Sequence, residues 1–265
     1  MHENYIKEIC YRIRFGAGID SADTDFPIFY IDMRIDKFLS AMGIASRSQA
    51  SRAAKHGDIT VDGKICDRVD VHIDPDVNVV MYEGQVIVYR EYTYIMMNKP
   101  AGYISATDDP KEMTVLELLP EQLKKQNLFP CGRLDKDTVG LLILTNNGAL
   151  AHQLLSPKHH AEKVYYFRCA DKLTDIDRLE QGIKLDDGYT TLPAKIDVLG
   201  TNEGYITLTE GKYHQIKRMF GAVGNRITYL CRVEFGGVEL DEKLKSGGWR
   251  YLTDDEINIL KRSDT

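Results

Sequence analysis

The chain has 265 residues, 43% of them hydrophobic and 28% charged, enough to build a sizeable core divided between one large unit and a smaller companion, or between two medium ones. Its formal net charge of -6 argues against a protein that coats nucleic acid through overall charge, although a local basic face stays open. It has no run of about 18 apolar residues and no basic N-terminus leading into an apolar stretch, so a membrane span and a secretory signal are unsupported and a cytoplasmic location is expected.

Residues 1–32 show no sustained period and break at the Gly16-Ala17-Gly18 turn and at Pro27; they read as a poorly structured extension, and Met33 opens a segment with the look of a natural start. From there Ile35, Phe38, Leu39 and Met42 recur at helical spacing up to Gly43, and a second helix runs to Gly57. "DITVDGKIC" alternates and turns at Asp62-Gly63, a hairpin signal. Helix, helix and hairpin thus fill 33–75, with 76–92 as a transition of short strands and a larger domain over 93–262.

In the larger domain "YTYIMMNKPAGYIS" reads as a strand broken at Pro100 and Gly102, "TVLELLPEQLKK" as a helix, and "GLLILT" as a buried strand. "GALAHQLLSP" is a further helix, and "YHQIKRMFGAVG" another, capped by Gly224. "KVYYFRCA", "TLPAKIDVLG", "GYITLTEG" and "NRITYLCRVEFGGVEL" are strand-like. Without regular strand-helix alternation, the fold class expected is α+β around a mainly antiparallel mixed sheet.

Between residues 34 and 64 the basic side chains Arg34, Lys37, Arg47, Arg52, Lys55 and Lys64 outnumber the acids Asp36, Asp58 and Asp62, a pattern that fits phosphate recognition and equally fits a solvated helix face. In "CGRLDKDTVGLLILTNNG", Arg133 and Asp135 alternate around Leu134, so an extended segment puts the two charges on one side and the leucine in the core. That could place Asp135 at a cleft floor, but spacing alone favours an ordinary surface ion pair. The five cysteines are scattered with no CxxC pair, which reads as free thiols rather than a disulfide or zinc framework. Adjacent His159 and His160 would face opposite ways and make a poor metal pair. GxSxG, GxxxxGK[ST] and HExxH patterns are all missing, so no metal is expected and covalent or acid-base chemistry by an aspartate is left.

The order "RIDKFLS…GIASRSQASRAAKHGDITVDGK" resembles the small RNA-binding module named after ribosomal protein S-four, which implies RNA contacts by Arg34, Lys37, Arg47, Arg52 and Lys55. "GRLDKDTVGLLILTNNG" resembles the signature of the pseudouridine synthases of the small-subunit ribosomal RNA type, the RsuA family. "MMNKPAGYISATDDP", "SPKHHAEKVYYF", "GKYHQIKRMFGAVGNRI" and "GGVELDEKLKSGGWRYLT" agree in order, so the likeness spans nearly everything after Met33.

The resemblance implies catalysis by Asp135, with Tyr165 as the active-site tyrosine and Lys217 as the basic partner that keeps the aspartate ionised. It assigns Arg133 to displacing the target base, and His214, Gln215 and Arg218 of "HQIKRM" to RNA contact, while Asp137 supports the turn. Val139 departs from the second threonine frequent in relatives, a matter of packing. The implied reaction is isomerisation of uridine to pseudouridine in 16S ribosomal RNA, of the pseudouridine-516 type, on naked RNA or an assembly intermediate. It needs no cofactor, no membrane and no partner subunit, so a monomer is expected. A synthase acting on 23S or transfer RNA, and a non-catalytic RNA-binding assembly factor, are the competing readings.

Overall fold

The computed structural model describes residues 31–156 and 161–262. All but the last two residues of the expected extension, with Cys10, and the His159-His160 pair lie outside the described residues. The chain divides into two compact units, one reaching Glu91 and including Glu121–Gln126, the other formed by Tyr92–Pro120 and the chain from Asn127 onward.

In the first unit β1 (Met33–Arg34) leads into α1 (Ile35–Ala41) and α2 (Arg47–His56). Apolar residues three and four apart on these helices, among them Ile35, Phe38, Leu39, Ala50 and Ala54, are buried together with Ile59 and Val80. A capping box opens α2: Ser46 Oγ accepts from the Gln49 amide at 3.4 Å while Gln49 Oε1 accepts from the Ser46 amide at 2.9 Å. Left-handed Gly57 closes it.

Strands β2 (Ile59–Val61) and β3 (Lys64–Ile65) form the expected hairpin, and both turn residues, Asp62 and Gly63, have positive φ, as a two-residue primed turn requires. β4 (His72–Ile73) pairs with β1. β5 (Val80–Tyr82) pairs with β2, and β6 (Gln85–Val86) with β5, so the short strands of the expected transition extend the hairpin into a sheet of order β3-β2-β5-β6. The helix expected over "TVLELLPEQLKK" is broken: a 3-10 turn covers Val115–Leu118, Leu119 is extended, and α3 (Glu121–Lys124) starts only after Pro120. Proline disfavours the helical conformation in the residue before it, which accounts for the interruption. Gln126 of that segment donates its side-chain amide to the Met42 carbonyl at 3.0 Å.

The second unit carries a nine-stranded sheet made of β7 (Tyr94–Lys99), β8 (Phe129–Pro130), β9 (Val139–Thr145), β10 (Lys163–Cys169), β11 (Lys195–Val198), β12 (Glu203–Leu208), β13 (Ile227–Phe235), β14 (Val238–Glu239) and β15 (Trp249–Tyr251). The main path runs β11-β12-β10-β13-β9-β7-β15, with β14 on β13 and β8 on β9. Every pair is antiparallel except β9 with β13, so the fold is α+β on a mostly antiparallel sheet, as read from the sequence. Helices α4 (Gly148–Leu155), α5 (Ile176–Glu180), α6 (Gln215–Ala222) and α7 (Asp254–Arg262) complete the unit. No helix among the described residues is long and apolar enough to cross a membrane.

The aliphatic run after Asp137 is the central strand β9, in which everything from Gly140 to Thr145 is buried. Its entry is tight. Gly140, at φ 98°, lies opposite Arg232 in the parallel pair, and a Cβ there would come within 2.3 Å of the Arg232 carbonyl oxygen and 2.7 Å of Cys231 Sγ. Only glycine fits that approach, which fixes where the charged segment before β9 leaves the sheet.

Candidate active site

Residues 131–138 form a loop at the start of β9, held from the segment that follows β7. Leu134 is buried while Arg133 is exposed, the separation expected from the sequence. Ser105 clamps Leu134 from both sides, its Oγ donating to the Leu134 carbonyl and accepting from the Leu134 amide, each at 3.0 Å. The Gly102 amide donates to the Lys136 carbonyl at 2.8 Å.

Below the loop sits Lys99, the last residue of β7 and fully buried. Its ammonium donates to the carbonyls of Thr138 at 2.8 Å, Asp135 at 3.0 Å, Pro100 at 3.1 Å and Lys136 at 3.3 Å. Burial pushes Lys99 down to about 8, and the Lys217 charge adds to that against the opposing charges of Asp137 and Asp135. The signal for this residue in the sequence is a lysine ending an otherwise apolar strand.

These contacts present the Asp135 carboxylate to α6. Lys217, on the first turn of that helix, donates to Asp135 Oδ2 at 2.8 Å and to Asp137 Oδ1 at 2.5 Å. Asp137, expected to support the turn, thus grips the other side of the same ammonium. Burial alone would push Lys217 down, but the two carboxylates outweigh it and hold the ammonium above its ordinary range. Burial likewise would raise Asp137, and the hydrogen bond and charge of Lys217 reverse that, so its carboxyl is held below the usual range. His214 Nε2 lies 3.6 Å from Asp135 Oδ1. Among the described residues no three His, Cys, Asp or Glu side chains gather as metal ligands.

Asp135 opens onto a cleft of about 870 Å³, within the size range of small-molecule pockets. Tyr165, on β10 and 9% exposed, forms part of its wall. Arg232 stands beside it on β13, and Lys163 lies two residues before it on the same strand. Arg232 donates from Nε to the Leu141 carbonyl at 2.8 Å and stacks its guanidinium 4.9 Å from the Phe235 ring. Burial pushes Lys163 down to about 8, helped by the Arg232 charge. Glu210, also in the lining, accepts from the Tyr189 hydroxyl at 2.6 Å and from the Gln215 amide at 2.7 Å. Among the described residues the lining carries six cations, Arg133, Lys136, Lys163, Lys212, Lys217 and Arg232, against two carboxylates, Asp135 and Glu210. A chain of net charge -6 therefore has a locally positive cleft, which favours a polyanion.

The remaining sequence candidates are placed differently. Gln215 is buried; its Oε1 accepts from the Lys212 amide at 2.9 Å, so it fastens the loop before α6. Arg218 is bound to Asp186 and to Asp187 Oδ2, the latter at 2.7 Å, outside the cleft lining. In the first unit Lys37, Arg52 and Lys55 are exposed, whereas Arg34 and Arg47 both reach the buried Asp36 carboxylate, at 2.8 and 3.4 Å.

Comparison with known proteins meets this geometry. The family model described as RNA pseudouridylate synthase matches residues 93–222, and the S4 domain model matches 33–79. An uncharacterised RNA pseudouridine synthase of Bacillus subtilis, YtzG, is 45% identical over 234 residues, covering 86% of this chain and 98% of the relative. The ribosomal small subunit pseudouridine synthase A of Salmonella typhimurium is 38% identical over 229 residues, covering 85% and 98%. A crystal structure of a pseudouridylate synthase superposes with a TM-score of 0.61 at 36% identity, covering 86% of this chain and 99% of that one.

Proposed function

The chain belongs to the RNA pseudouridylate synthase family, isomerases acting on RNA, and on that premise we propose that it converts a uridine of small-subunit ribosomal RNA, of the pseudouridine-516 type, with Asp135 as the catalytic residue. The observation that carries the reading is the Asp135 carboxylate, ion-paired to Lys217 at 2.8 Å and facing a cation-lined cleft that also holds Tyr165. Small-subunit RNA is favoured by the 38% identical relative named for that substrate, aligned over 98% of its length.

Pseudouridine formation breaks the bond between ribose C1′ and uracil N1 and joins C1′ to C5. N1 gains a proton and C5 loses one, so no group enters or leaves and no electron carrier is consumed. Two routes begin from an ionised aspartate: attack by the carboxylate on the nucleotide, or removal of a ribose proton to give a glycal. Both use Asp135 as a carboxylate, and the Lys217 ammonium, 2.8 Å away, fixes its orientation. Tyr165, in the lining of the same cleft, stacks against the uracil and takes the C5 proton. Because the base must leave its stack at a cost of about a few kcal/mol, exposed Arg133 at the rim fills the space it vacates.

In this reading the exposed Lys37, Arg52 and Lys55 hold phosphates, while Arg34 and Arg47 are held by Asp36, and His214 contacts the RNA beside the catalytic carboxylate. The experiment is tritium release from C5-labelled transcripts. Release from small-subunit RNA or its assembly intermediate supports the assignment, whereas release only from large-subunit or transfer RNA moves the protein to a sister group.

A further inference from the structure

The cleft also holds a tyrosine, Tyr213, that the chemistry above leaves unused. Tyr213 is 71% exposed, and its ring lies 3.8 Å from the His214 ring at an interplanar angle of 18°, a parallel stack. An exposed tyrosine contributes little to a core, yet the segment carrying this one is fixed at several points. Gln215 joins Glu210 to the Lys212 amide, and Arg218 donates from Nη1 to the Tyr213 carbonyl at 3.3 Å while held by Asp186. His214 itself has a φ of 49°, a left-handed conformation uncommon for a residue with a side chain. Strained, over-determined backbone of this kind gathers at functional sites.

The pair is also tied to the reaction centre by distance. His214 Nε2 is 3.6 Å from Asp135, so the outer face of Tyr213 lies one stacked ring beyond a residue that reaches the carboxylate. A target base that leaves its stack deprives the flanking base of a stacking partner, and an exposed ring on the same cleft can supply that surface. Arg133, Lys136 and Lys212 line the same cleft and supply positive charge for the intervening phosphates.

Resting on the reading that the target uridine docks at Asp135, we propose that the outer face of Tyr213 is a stacking platform for an unpaired base flanking that uridine. The substrate class follows from this. A base in a continuous duplex is already stacked on both sides and paired, so it cannot lie on a protein ring, whereas unstacked bases in loops, bulges and single strands can. The enzyme therefore takes a uridine with an unpaired neighbour.

The test is binding of a fluorescein-labelled synthetic single strand with one central uridine among adenosines, compared with oligonucleotides abasic on the 5′ or on the 3′ side of the uridine, and with a duplex. Stacking of one base on an aromatic side chain makes the loss expected for Tyr213→Ala about 5- to 150-fold in Kd. Tyr213→Phe, which keeps the ring, should bind within about twofold of the unaltered protein. One of the two abasic strands should weaken the unaltered protein by a similar factor and cost Tyr213→Ala nothing more, a coupling that a merely structural tyrosine would not produce.

Equal abasic losses in both proteins, unchanged binding by Tyr213→Ala, equal affinity for duplex and single strand, or no binding of the single strand by the unaltered protein would overturn the proposal. Tritium release from labelled RNA separates the two levels. Release without the coupling removes only the platform; coupling without release from any RNA removes the assigned reaction.

Discussion

Replacing Lys99 with methionine should loosen the loop that carries Asp135 without touching any side chain that faces the cleft. The ammonium has three hydrogens and four carbonyl neighbours between 2.8 and 3.3 Å, three of them on residues 135, 136 and 138. Hydrogen bonds to a charged group contribute about 1.5–3 kcal/mol each. Against them stands the cost of keeping a buried ammonium charged; a fall from 10.5 to about 8 corresponds to about 3 kcal/mol at 1.36 kcal/mol per pKa unit. The difference leaves a net loss of about 1–6 kcal/mol for Lys99→Met. Denaturant midpoints give the stability change, and single-turnover tritium release gives the effect on Asp135, which should slow at least about tenfold because its backbone carbonyl loses a direct tether. A variant with an unchanged midpoint and a rate within about twofold of the unaltered protein would refute the idea that Lys99 shapes this loop.

Lys99 and Lys163 are both pushed down to about 8 by burial, whereas an ordinary lysine stays charged to about 10.4. The cation is present below the folded value and lost above it, so turnover should fall as pH rises through about 8; Lys163→Arg should make the fall shallower, and a rate flat up to pH 10 would contradict the assignment. In the first unit, removing the exposed cations together as Lys37→Ala, Arg52→Ala and Lys55→Ala should weaken RNA binding and lower the slope of log K against log salt by about 2, at roughly 0.7 for each phosphate no longer neutralised. An unchanged slope, measured by salt titration of the same RNA, would exclude these residues from the RNA interface.

Much of this arrangement was legible in the chain, and the exceptions have physical causes. The hairpin at Asp62-Gly63, the left-handed stops at Gly43, Gly57 and Gly224, and the two-sided burial of "GLLILT" follow from local signals, because glycine freedom and unbroken apolar runs act where they stand. Spacing could not bring Asp135 to Lys217, 82 residues away; only resemblance to a known family paired them. Helix α7 was passed over although its sequence carries the signals, with Thr253 Oγ1 accepting from the Glu256 amide, acids in the first turn and bases in the last. Five-residue α5 offers too short a period to read.

Lys163 and Arg232 were missed for another reason. Each sits in a strand whose alternation reads as core, and only the pairing of β10 with β13 shows that Arg232 stands beside Tyr165 at the cleft. Arg218 illustrates the converse, since its motif position suggested RNA while its guanidinium is held by Asp186 and Asp187. A charge run tells which ions are available, and tertiary partners decide which of them remain for a ligand.

In the proposed reaction the Asp135 carboxylate performs the chemistry. Asp135→Asn keeps the size of the side chain and removes its charge, so single-turnover tritium release from C5-labelled small-subunit RNA is the most direct measurement. Release should drop below detection while RNA binding, measured on the same transcript, stays within a few-fold of the unaltered protein. Release at the normal rate from Asp135→Asn would contradict the account.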